Sequence, residues 1–536
     1  QPDNGAVVPA TGWQPAGEVT SVQAVPGASM RFGGWTGDVP AGQTNDNPVA
    51  LLMDAARTIS PTLIPEGTLV DGVLQTNWVW TSEGNPYVVT DAFTVPAGIT
   101  LSMEPGVHVQ IFRFASLDVR GTVRAVGTAT EPIRVNHHPS ESRGGWIELT
   151  GTDTTALGAT GVFVNCVFDG LSGPIAALNC EHSSLTIADS TFLGMPGKVM
   201  RPLESRITFV RNVMHSTGEG VNVVGCAGVL ASNRVFNILG NADALDVDNL
   251  WPGPGDGAMV LEWNELEGAQ HSNADAIDVS YSDAIIRNNT MRGFSDKGIS
   301  LGPLANVTIH NNLIENCNIG IQIKDSSDPE ISHNTIVACT AFGINSYIKG
   351  QGPGGPGLGS GTNNIIWDCG VSIFMEDGST LDIQHSLIQG TSVWFGVGNV
   401  TNDPQFMDSA TGNYRLSVES PAVDAATALS WLPTAVDLDE RARVYNGAPD
   451  MGAYEYQPPV LPTVFAVHQL GSPTNAGLAG LVLSWQSSPG EQYELEFTTN
   501  LIEGWQTIVS NLTATPPGNV MTTPAPTSVQ GFYRVR

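Results

Sequence analysis

One short motif recurs along the middle of this chain and limits the folds that are open to it. An asparagine is followed two positions later by an apolar residue at Asn212, Asn233, Asn264, Asn289, Asn312, Asn334 and Asn364. The successive spacings are 21, 31, 25, 23, 22 and 30 residues, and the two long ones contain the insertions "NLWPGPGDG" and "YIKGQGPGGPGLGSG". Without the insertions the period is about 22 residues, which indicates a stack of similar structural units.

A second motif, a small residue followed by apolar-x-apolar, lies between the asparagines at Gly220, Ala244, Ala276, Gly298, Gly320 and Gly343. Short strands of this kind cannot bury an apolar face alone, so each coil must stack on its neighbours. The recurring asparagine suits such a stack, because it tolerates left-handed turns and its amide can bond to the same amide one coil away. The pattern predicts an all-β chain built around a right-handed parallel β-helix. A leucine-rich repeat is disfavoured because its leucine spacing is absent.

The acidic balance of the chain restricts its partners. Asp and Glu number 52 against 22 Lys and Arg, and the formal net charge is −30. The phosphates of nucleic acids and anionic membrane surfaces would be repelled. No apolar run reaches the roughly 18 residues of a membrane-spanning helix, so no membrane insertion is expected. The composition favours a secreted bacterial protein, either extracellular or on the cell surface.

The six cysteines show no metal-binding spacing. Cys317, Cys339 and Cys369 fall in one column of the repeat. A stack of reduced thiols is favoured there over a bridge, because a buried thiol packs as a small apolar group.

The first and last coils carry a family resemblance. The stretch "VVTDAFTVPAGITLSMEPGVHVQIF" begins at Val88, and "NDPQFMDSATGNYRLSVESPAVDAA" begins at Asn402. Both resemble the ends of secreted bacterial proteins with parallel β-helix repeats, including adhesin-like and CotH-associated surface proteins. The resemblance implies a β-helix over residues 66–457 with caps at both ends. Aspartates are expected to cap turns in the closing segment at Asp403, Asp424, Asp437 and Asp450.

Two further segments flank the predicted β-helix. Residues 1–65 are similar to a bacterial surface β-repeat and predict a small β-rich N-terminal segment. Residues 458–536 follow a proline-rich linker, alternate apolar and polar positions, and resemble a fibronectin-like β-sandwich.

Aspartates gather on two neighbouring coils when the coils are aligned on the second motif. The residue between the two apolar positions should point outward, which gives the column Asn222, Asp246, Asp278, Ser300, Gln322 and Asn345. The residue before the small one gives Glu219, Asp243, Asp275, Lys297, Ile319 and Phe342. Adjacent coils lie about 4.8 Å apart. One patch should therefore contain Asp243, Asp246, Asp275 and Asp278.

Four carboxylates this close repel one another unless they share a proton or a cation. Oxygen ligands without His or Cys suit Ca²⁺, so all four aspartates are candidate calcium ligands. Lys297 is then a candidate base for removing an acidified uronate proton, with Asp275 and Asp278 as catalytic partners. This layout is similar to calcium-dependent polysaccharide lyases on this fold. Those enzymes, however, carry the lysine in the outward column, where this chain has Ser300.

Several functions fit this pattern, since one fold hosts many activities. The leading interpretation is a secreted or cell-surface structural or carbohydrate-binding module, whose partner is a polysaccharide or cell-surface glycan. Trp251 and Asp296 are its candidate binding residues, because an indole can stack on a sugar ring. The alternatives are a calcium-assisted polysaccharide lyase or a glycan hydrolase at an acidic groove, or a self-associating subunit of an extracellular fibre. The same aspartates also fit a solvated, turn-forming face.

Overall fold

The structure is a computed structural model that describes residues 5–27, 29–151, 157–240, 242–248, 258–268, 273–349, 355–445, 447–457, 466–470, 480–487, 490–499, 505–516, 518–524 and 532–536. Two compact units divide the chain, Gln1–Asn402 and Asp403–Arg536. The described residues are almost entirely β, which confirms the predicted fold class. Within them, no helix combines the length and the apolar character needed to cross a bilayer. The domain boundaries after residues 65 and 457 stay predictions.

The first unit contains a parallel β-helix of about 13 coils. Each coil contributes one strand to each of three parallel sheets, which we call sheets A, B and C. A strand pairs with the corresponding strand of the next coil, so register partners lie one coil apart. The stack begins with Thr68–Val73 and Tyr87–Val95, which pair with each other, and Tyr87–Val95 continues into both sheets B and C.

The strand bounds follow the coils in chain order. Sheet A consists of Trp78–Trp80, Thr100–Met103, Thr122–Val126, Ala159–Val164, Ser183–Ala188, Arg206–Val210, Ala227–Ala231, Met259–Glu262, Asp283–Arg287, Asn306–His310, Glu330–Ser332, Ser360–Thr362 and Asp382–Gln384. Sheet B continues with His108–Ile111, Ile133–His137, Cys166–Asp169, Thr191–Leu193, Val213–His215, Arg234–Phe236, Glu265–Glu267, Thr290–Arg292, Leu313–Glu315, Thr335–Val337, Ile365–Trp367 and Leu387–Ile388. Sheet C continues with Ser116–Val119, Trp146–Thr150, Ala176–Glu181, Lys198–Leu203, Glu219–Val224, Leu245–Asp248, Ile277–Ser280, Lys297–Leu301, Ile319–Lys324, Phe342–Tyr347 and Val371–Met375. Single 3-10 turns occur at Ser82–Gly84, Ser409–Thr411 and Leu432–Thr434.

The interior of the coils is one continuous apolar core that runs from Val70 to Ile388. Inward and outward positions alternate along each strand: in Ile277–Ser280, the first and third residues are buried and the second and fourth are partly exposed. Aromatic rings stack along the axis, with the Phe168 and Phe192 centroids 4.8 Å apart. Because a one-residue slip would turn these apolar side chains outward, the core fixes the register. The register in turn decides which polar residues become neighbours on the surface.

The seven repeated asparagines form a buried ladder at the turn between sheets A and B. Each Nδ2 donates to Oδ1 of the next asparagine at 2.9–3.1 Å, from Asn212 through to Asn364. From Asn233 onward, each Oδ1 also accepts the backbone N–H of the asparagine one coil before it. The predicted ladder is therefore present, and it satisfies backbone groups that a turn would otherwise leave buried and unpaired.

The left-handed conformation lies one residue earlier than the sequence analysis placed it. The residue before each ladder asparagine has a positive φ, such as 55° at Arg211 and 58° at Trp263. This residue turns the chain, so that the following asparagine points inward. The asparagine is thus required for its amide bonds and not for its tolerance of a left-handed backbone.

Replacing one rung of the ladder is expected to destabilise the β-helix. In Asn289→Ala, the two N–H donors of Asn264 that bond to Oδ1 of residue 289 lose their acceptor, and the carbonyl of Leu261 loses its side-chain donor. Each buried group left unpaired costs about 1–3 kcal/mol, so we expect the free energy of unfolding to fall by about 3 kcal/mol or more in urea titrations. The control Asn306→Ala changes an exposed asparagine and should stay within about 0.5 kcal/mol. Equal effects of the two variants would contradict a structural ladder.

The cysteine column also lies on successive coils. All six cysteines are free thiols in the structure. The thiol of Cys339 donates to the carbonyl of Val337, and the thiol of Cys369 donates to the carbonyl of Trp367. Burial raises the pKa of Cys317 to about 12, so this thiol is not ionised at neutral pH.

The residues before the β-helix form two small antiparallel pairings around their own core. The strands are Gly5–Val8, Val19–Pro26 and Val49–Leu52 in one sheet, and Met30–Gly37 with Ile59–Pro65 in the other. Trp35 and Val49 are buried at the centre of this segment. The side chain of Asn47 bonds to both the N–H and the carbonyl of Ala24, at 2.8 Å each.

The second unit ends in a β-sandwich. One three-stranded antiparallel sheet contains Ala466–Leu470, Gly480–Gln486 and Gly518–Pro524, and the other contains Gln506–Thr513, Gln492–Thr498 and Phe532–Val535. Trp485 from the first sheet and Tyr493 from the second share one apolar core. The unit begins with a short hairpin formed by Phe406–Asp408 and Asn413–Leu416.

Aspartates of the closing segment accept backbone N–H groups, as their turn-forming pattern predicts. The carboxylate of Asp437 accepts the N–H groups of Asp439, Arg441 and Glu455 at 2.8–2.9 Å. Asp450 accepts the N–H of Asp424 at 2.7 Å. The carboxylate of Asp403 accepts the N–H of Gln405 at 2.7 Å.

A fully buried ion pair lies within the same segment. Nη1 of Arg443 lies 3.1 Å from Oε2 of Glu455, and neither side chain has any exposed surface. Nη2 donates to the carbonyls of Asp450 and Gly452 at 2.8 and 2.7 Å. The guanidinium therefore links three parts of a segment that has little regular secondary structure.

Candidate functional site

The outward column of sheet C matches the alignment made from the sequence. Register pairs connect Asn222 to Asp246, Asp246 to Asp278, Asp278 to Ser300, Ser300 to Gln322, and Gln322 to Asn345. We call this row of six residues the central column. Its members come from six successive coils, so residues about two dozen apart in sequence are direct neighbours.

A second row runs beside it, three residues earlier in each coil. Lys198 and Glu219 are register partners and form an ion pair. The N–H of Asp275 donates to Oδ1 of Asp243 at 2.8 Å, and the N–H of Lys297 donates to Oδ1 of Asp275 at 3.0 Å. We call the row Lys198, Glu219, Asp243, Asp275 and Lys297 the leading column. The structure thus places the four predicted aspartates on two adjacent coils, with Lys297 on the next coil.

Lys297 is held between two carboxylates. Its Nζ lies 3.2 Å from Oδ1 of Asp275 and also bonds to Oδ2 of Asp296. Burial alone would lower the pKa of Lys297, but the charges of Asp275 and Asp296 outweigh it and raise the pKa. The lysine is therefore kept protonated and unsuited to the base role predicted from the sequence. Because the carboxylates of Asp275 and Asp296 are bound to Lys297, they position the lysine and are not free to bind a ligand.

Asp246 and Asp278 are the pair in this site whose carboxyl oxygens are least satisfied by hydrogen bonds. Nδ2 of Asn222 donates to Oδ2 of Asp246. Oδ1 of Asp246 and Oδ1 of Asp278 are both buried and make no hydrogen bond within the described part of the chain. Burial, followed by the charges of Asp248 and Asp278, raises the pKa of Asp246 to about 8. Asp246 therefore carries a proton at neutral pH.

The pKa values of neighbouring carboxyls are raised in the same way, but by less. Burial and then the charge of Asp275 raise the pKa of Asp243 to about 7. Burial raises the pKa of Asp275 to about 6, against the attraction of Lys297. Burial and mutual repulsion thus keep several carboxyls of the patch wholly or partly protonated near neutral pH.

The sequence analysis missed Lys324. It is only 7% exposed, and its Nζ donates to Oγ of Ser300 at 2.9 Å. Burial lowers its pKa, although the charge of Asp278 acts in the opposite direction. Lys324 lies two positions after Gln322 on the same strand, so strand alternation applied one step further along "GIQIK" would have placed it on this face.

The four aspartates do not provide a preformed calcium site. Calcium takes six to eight oxygen ligands, whereas Asp275 is bound to a lysine and Asp243 caps a backbone N–H. Among the described residues, no three His, Cys, Asp or Glu side chains are grouped as metal ligands. The calcium assignment therefore stays a prediction, and the geometry of the carboxylates does not favour it.

Trp251 lies outside the described residues, as does the whole insertion 249–257. The sugar-stacking role predicted for this tryptophan stays a prediction. In the second insertion, residues 355–361 are described, and the carbonyl of Gly355 accepts the N–H of Ser326 at 3.1 Å.

Removing the charge of Lys297 is expected to destabilise the β-helix strongly. In Lys297→Met, two largely buried carboxylates lose their cation, and breaking such a pair costs about 3–5 kcal/mol. We expect this loss in urea unfolding at pH 7, and a smaller loss at pH 5, where Asp275 accepts a proton. The control Lys349→Met removes an exposed lysine and should change stability by less than about 0.5 kcal/mol. A neutral effect of Lys297→Met at pH 7 would contradict the ion-pair assignment.

A comparison with protein families agrees with the fold. Residues 254–403 match a family model described as a right handed beta helix region. A search among curated proteins finds no match. The chain is similar to the crystal structure of an alginate lyase from Paenibacillus sp. str. FPU-7, with 13% identity and a TM-score of 0.22, over 55% of this chain and 99% of that chain. The coils of the structure and the family match together show a right-handed parallel β-helix protein.

Proposed function

We propose that the protein binds a glycan along the central column and hydrolyses a glycosidic bond between Asp246 and Asp278. One observation carries the proposal: these two carboxyls are register neighbours, and each has a buried oxygen that lacks a partner within the described residues. Most glycoside hydrolases use such a pair of carboxyl groups as their catalytic residues. Purely structural acids would be expected to have their oxygens satisfied by neighbouring donors.

The surroundings separate the two carboxyls into an acid and a base. The raised pKa of Asp246, caused by burial and then by Asp248 and Asp278, keeps its proton available near neutral pH. Asp278 lies close enough to Lys324 for their charges to interact. Paired carboxyls in unlike environments are typical of acid and base roles. Asp246 is thus the proposed proton donor, and Asp278 the proposed carboxylate partner.

The reaction then follows in two steps. Asp246 transfers its proton to the glycosidic oxygen as the bond from that oxygen to the anomeric carbon breaks, and a carboxylate oxygen of Asp278 bonds to the anomeric carbon. Asp246, now ionised, takes a proton from water while the water oxygen displaces Asp278. Register partners lie about 4.8 Å apart, which favours the short carboxyl separation of about 5–5.5 Å found in retaining enzymes. The product should therefore keep the anomeric configuration of the substrate.

Elimination is the second candidate, and Lys324 is the observation that favours it. A lysine with a lowered pKa beside an acidic patch is a possible base for proton abstraction. Lys297, which the sequence analysis proposed for this role, is bound to two carboxylates. Elimination on this face would therefore use Lys324.

Product mass distinguishes these functions directly. The purified chain is incubated with soluble neutral, acidic and amino-bearing glycans in H₂¹⁸O, with and without EDTA. Hydrolysis predicts shorter products with ¹⁸O at the new reducing end, independent of EDTA. Unsaturated products without ¹⁸O would show that the reaction is elimination and not hydrolysis. Glycan binding without any product, measured in the same panel, would leave only the structural or carbohydrate-binding role.

We also propose that the protein works outside the cell or on the bacterial cell surface. Its acidic composition and a glycan partner support this location. In the C-terminal β-sandwich, the first, second and fifth strands form one sheet and the other three form the second. That order supports a fibronectin-like module of the kind found in adhesin-like surface proteins. Antibody labelling of intact cells tests the location, and sedimentation of the purified chain tests self-association into fibres.

A further inference from the structure

We propose that the glycan recognised on this face carries free amino groups, so that an ammonium group lies beside the carboxylate of Asp278, next to the glycosidic bond that Asp246 protonates. The inference rests on the proposed function and names its substrate class. Three features of the site lead to it: the balance of charges, the row of unsatisfied acceptor oxygens, and the lack of a metal-like grouping.

The charges on this face are unequal after all ion pairs are formed. Apart from the protonated Asp246, six carboxyls interact with four cations on this face: Glu219, Asp243, Asp248, Asp275, Asp278 and Asp296 with Lys198, Arg201, Lys297 and Lys324. Lys198 pairs with Glu219, and Lys297 pairs with Asp275 and Asp296. Within the described residues, no ion pair reaches the remaining carboxyls Asp243, Asp246, Asp248 and Asp278. A ligand that brings positive charge is therefore stabilised here, and a uronate polymer is repelled.

The central column also presents acceptors that lack donors. Besides Oδ1 of Asp246 and Asp278, Oε1 of Gln322 and Oδ1 of Asn345 are buried without a hydrogen-bond partner in the described part of the chain. Gln322 and Asn345 are only 4% and 8% exposed. Buried acceptors of this kind normally have donors. A sugar that bears ammonium and hydroxyl groups supplies donors along the row, whereas a carboxylate only accepts.

The geometry also separates an ammonium ion from a metal ion as the missing cation. A calcium ion needs many oxygens converging on one point, and the described residues offer no such grouping. An ammonium group has three donors and one charge, so one carboxylate, that of Asp278, and neighbouring acceptor oxygens are sufficient. The ammonium group of Lys297 in the leading column is already held by carboxylate oxygens in this way. A ligand ammonium in the central column would repeat the arrangement one row across.

Paired oligosaccharides test the inference. Calorimetry compares a glucosamine hexamer with an N-acetylglucosamine hexamer, which has the same backbone but no charge, and with an oligogalacturonate of equal length. We expect the glucosamine hexamer to bind at least tenfold more tightly than either control, with an affinity that falls as salt is added. The double variant Asp246→Asn, Asp278→Asn should lose at least tenfold in affinity for it. The variant Asp283→Asn, which changes an exposed aspartate of sheet A, should bind as the unchanged chain does.

The outcomes separate this inference from the proposed function. Equal binding of the charged and acetylated hexamers, or preference for the uronate, overturns the inference. Loss of the same affinity in Asp283→Asn also overturns it, because the attraction would then be general and not sited at the central column. Hydrolysis of a neutral glycan without glucosamine binding would leave the proposed function intact and remove this inference. Site-dependent glucosamine binding without any product would keep the inference as a binding site and remove the hydrolysis. Thermal unfolding of the double variant confirms that it is folded.

Discussion

Asp246→Asn is expected to lower the rate of glycan hydrolysis by a factor of about 10²–10⁴, which is the usual contribution of a positioned proton donor. The amide keeps the shape of the side chain and can still contact Asn222, so the loss is one of chemistry and not of folding. Product formation under saturating substrate measures it. The control Asp283→Asn should retain the full rate, because that exposed carboxyl is on sheet A. A rate within a factor of three of the unchanged chain would contradict the role of Asp246.

The same variant should gain stability in alkaline solution. The pKa of Asp246 in the folded chain is about 8, raised by burial and then by Asp248 and Asp278, whereas an aspartate in an unfolded chain has a value near 3.9. A raised folded-state pKa contributes stability that is fully present below about pH 4 and is lost as the pH rises through about 8. Asp246→Asn removes this loss. Because a tenfold change in proton affinity is about 1.4 kcal/mol, the advantage of the variant should grow by roughly 2–5 kcal/mol between pH 4.5 and pH 8.5. Urea unfolding at the two pH values measures the difference, and a pH-independent difference would contradict it.

Arg443→Met should have the second large effect, confined to the second unit. The substitution leaves the fully buried carboxyl of Glu455, whose pKa burial raises to about 8, without its guanidinium partner, so the loss should be largest when measured above pH 8. It also removes the donor to the carbonyls of Asp450 and Gly452. Removal of one member of a buried pair costs about 3–5 kcal/mol. Hydrogen exchange of peptides between residues 403 and 457, followed by mass spectrometry, should show opening that is easier by this amount.

A double variant separates the ion pair from simple loss of packing. In Arg443→Met combined with Glu455→Gln, the remaining partner is neutral, and its amide oxygen can still accept one of the two N–H groups, those of Tyr445 and Asp450, that bond to Glu455. The double variant should be more stable than Arg443→Met alone, because no uncompensated charge stays buried. If the second substitution adds to the damage instead, the buried charge is not the cause of the first loss.

Periodicity allowed most of the fold to be predicted from the sequence. The Asn-x-apolar motif repeats because one amide must meet the next within about 3 Å, and the coils leave no freedom in that spacing. The same regularity gave the register of the central column, from Asn222 to Asn345. The left-handed residue was misplaced by one position, since the asparagine and its predecessor share the turn and only the φ values separate them.

The chemistry of the site was less predictable for a physical reason. A linear alignment shows which residues are neighbours, but it does not show which of them form ion pairs with each other. Lys297 was assigned as a base because it follows the aspartates, whereas its Nζ is bound by Asp275 and Asp296. Strand alternation could have placed Lys324 on this face, but its burial and its bond to Ser300 depend on the packing of several coils. Only burial and hydrogen bonding together distinguish a structural lysine from a reactive one.

A crystal structure of Asp246→Asn, soaked with the oligosaccharide that the unchanged chain cleaves, is the most direct test of where the chemistry takes place. We predict a sugar chain lying across sheet C, with the glycosidic oxygen within hydrogen-bond distance of the side chain of residue 246 and the anomeric carbon facing Asp278. An oligosaccharide bound on sheet A or B, or with its scissile bond away from these two side chains, would contradict the account.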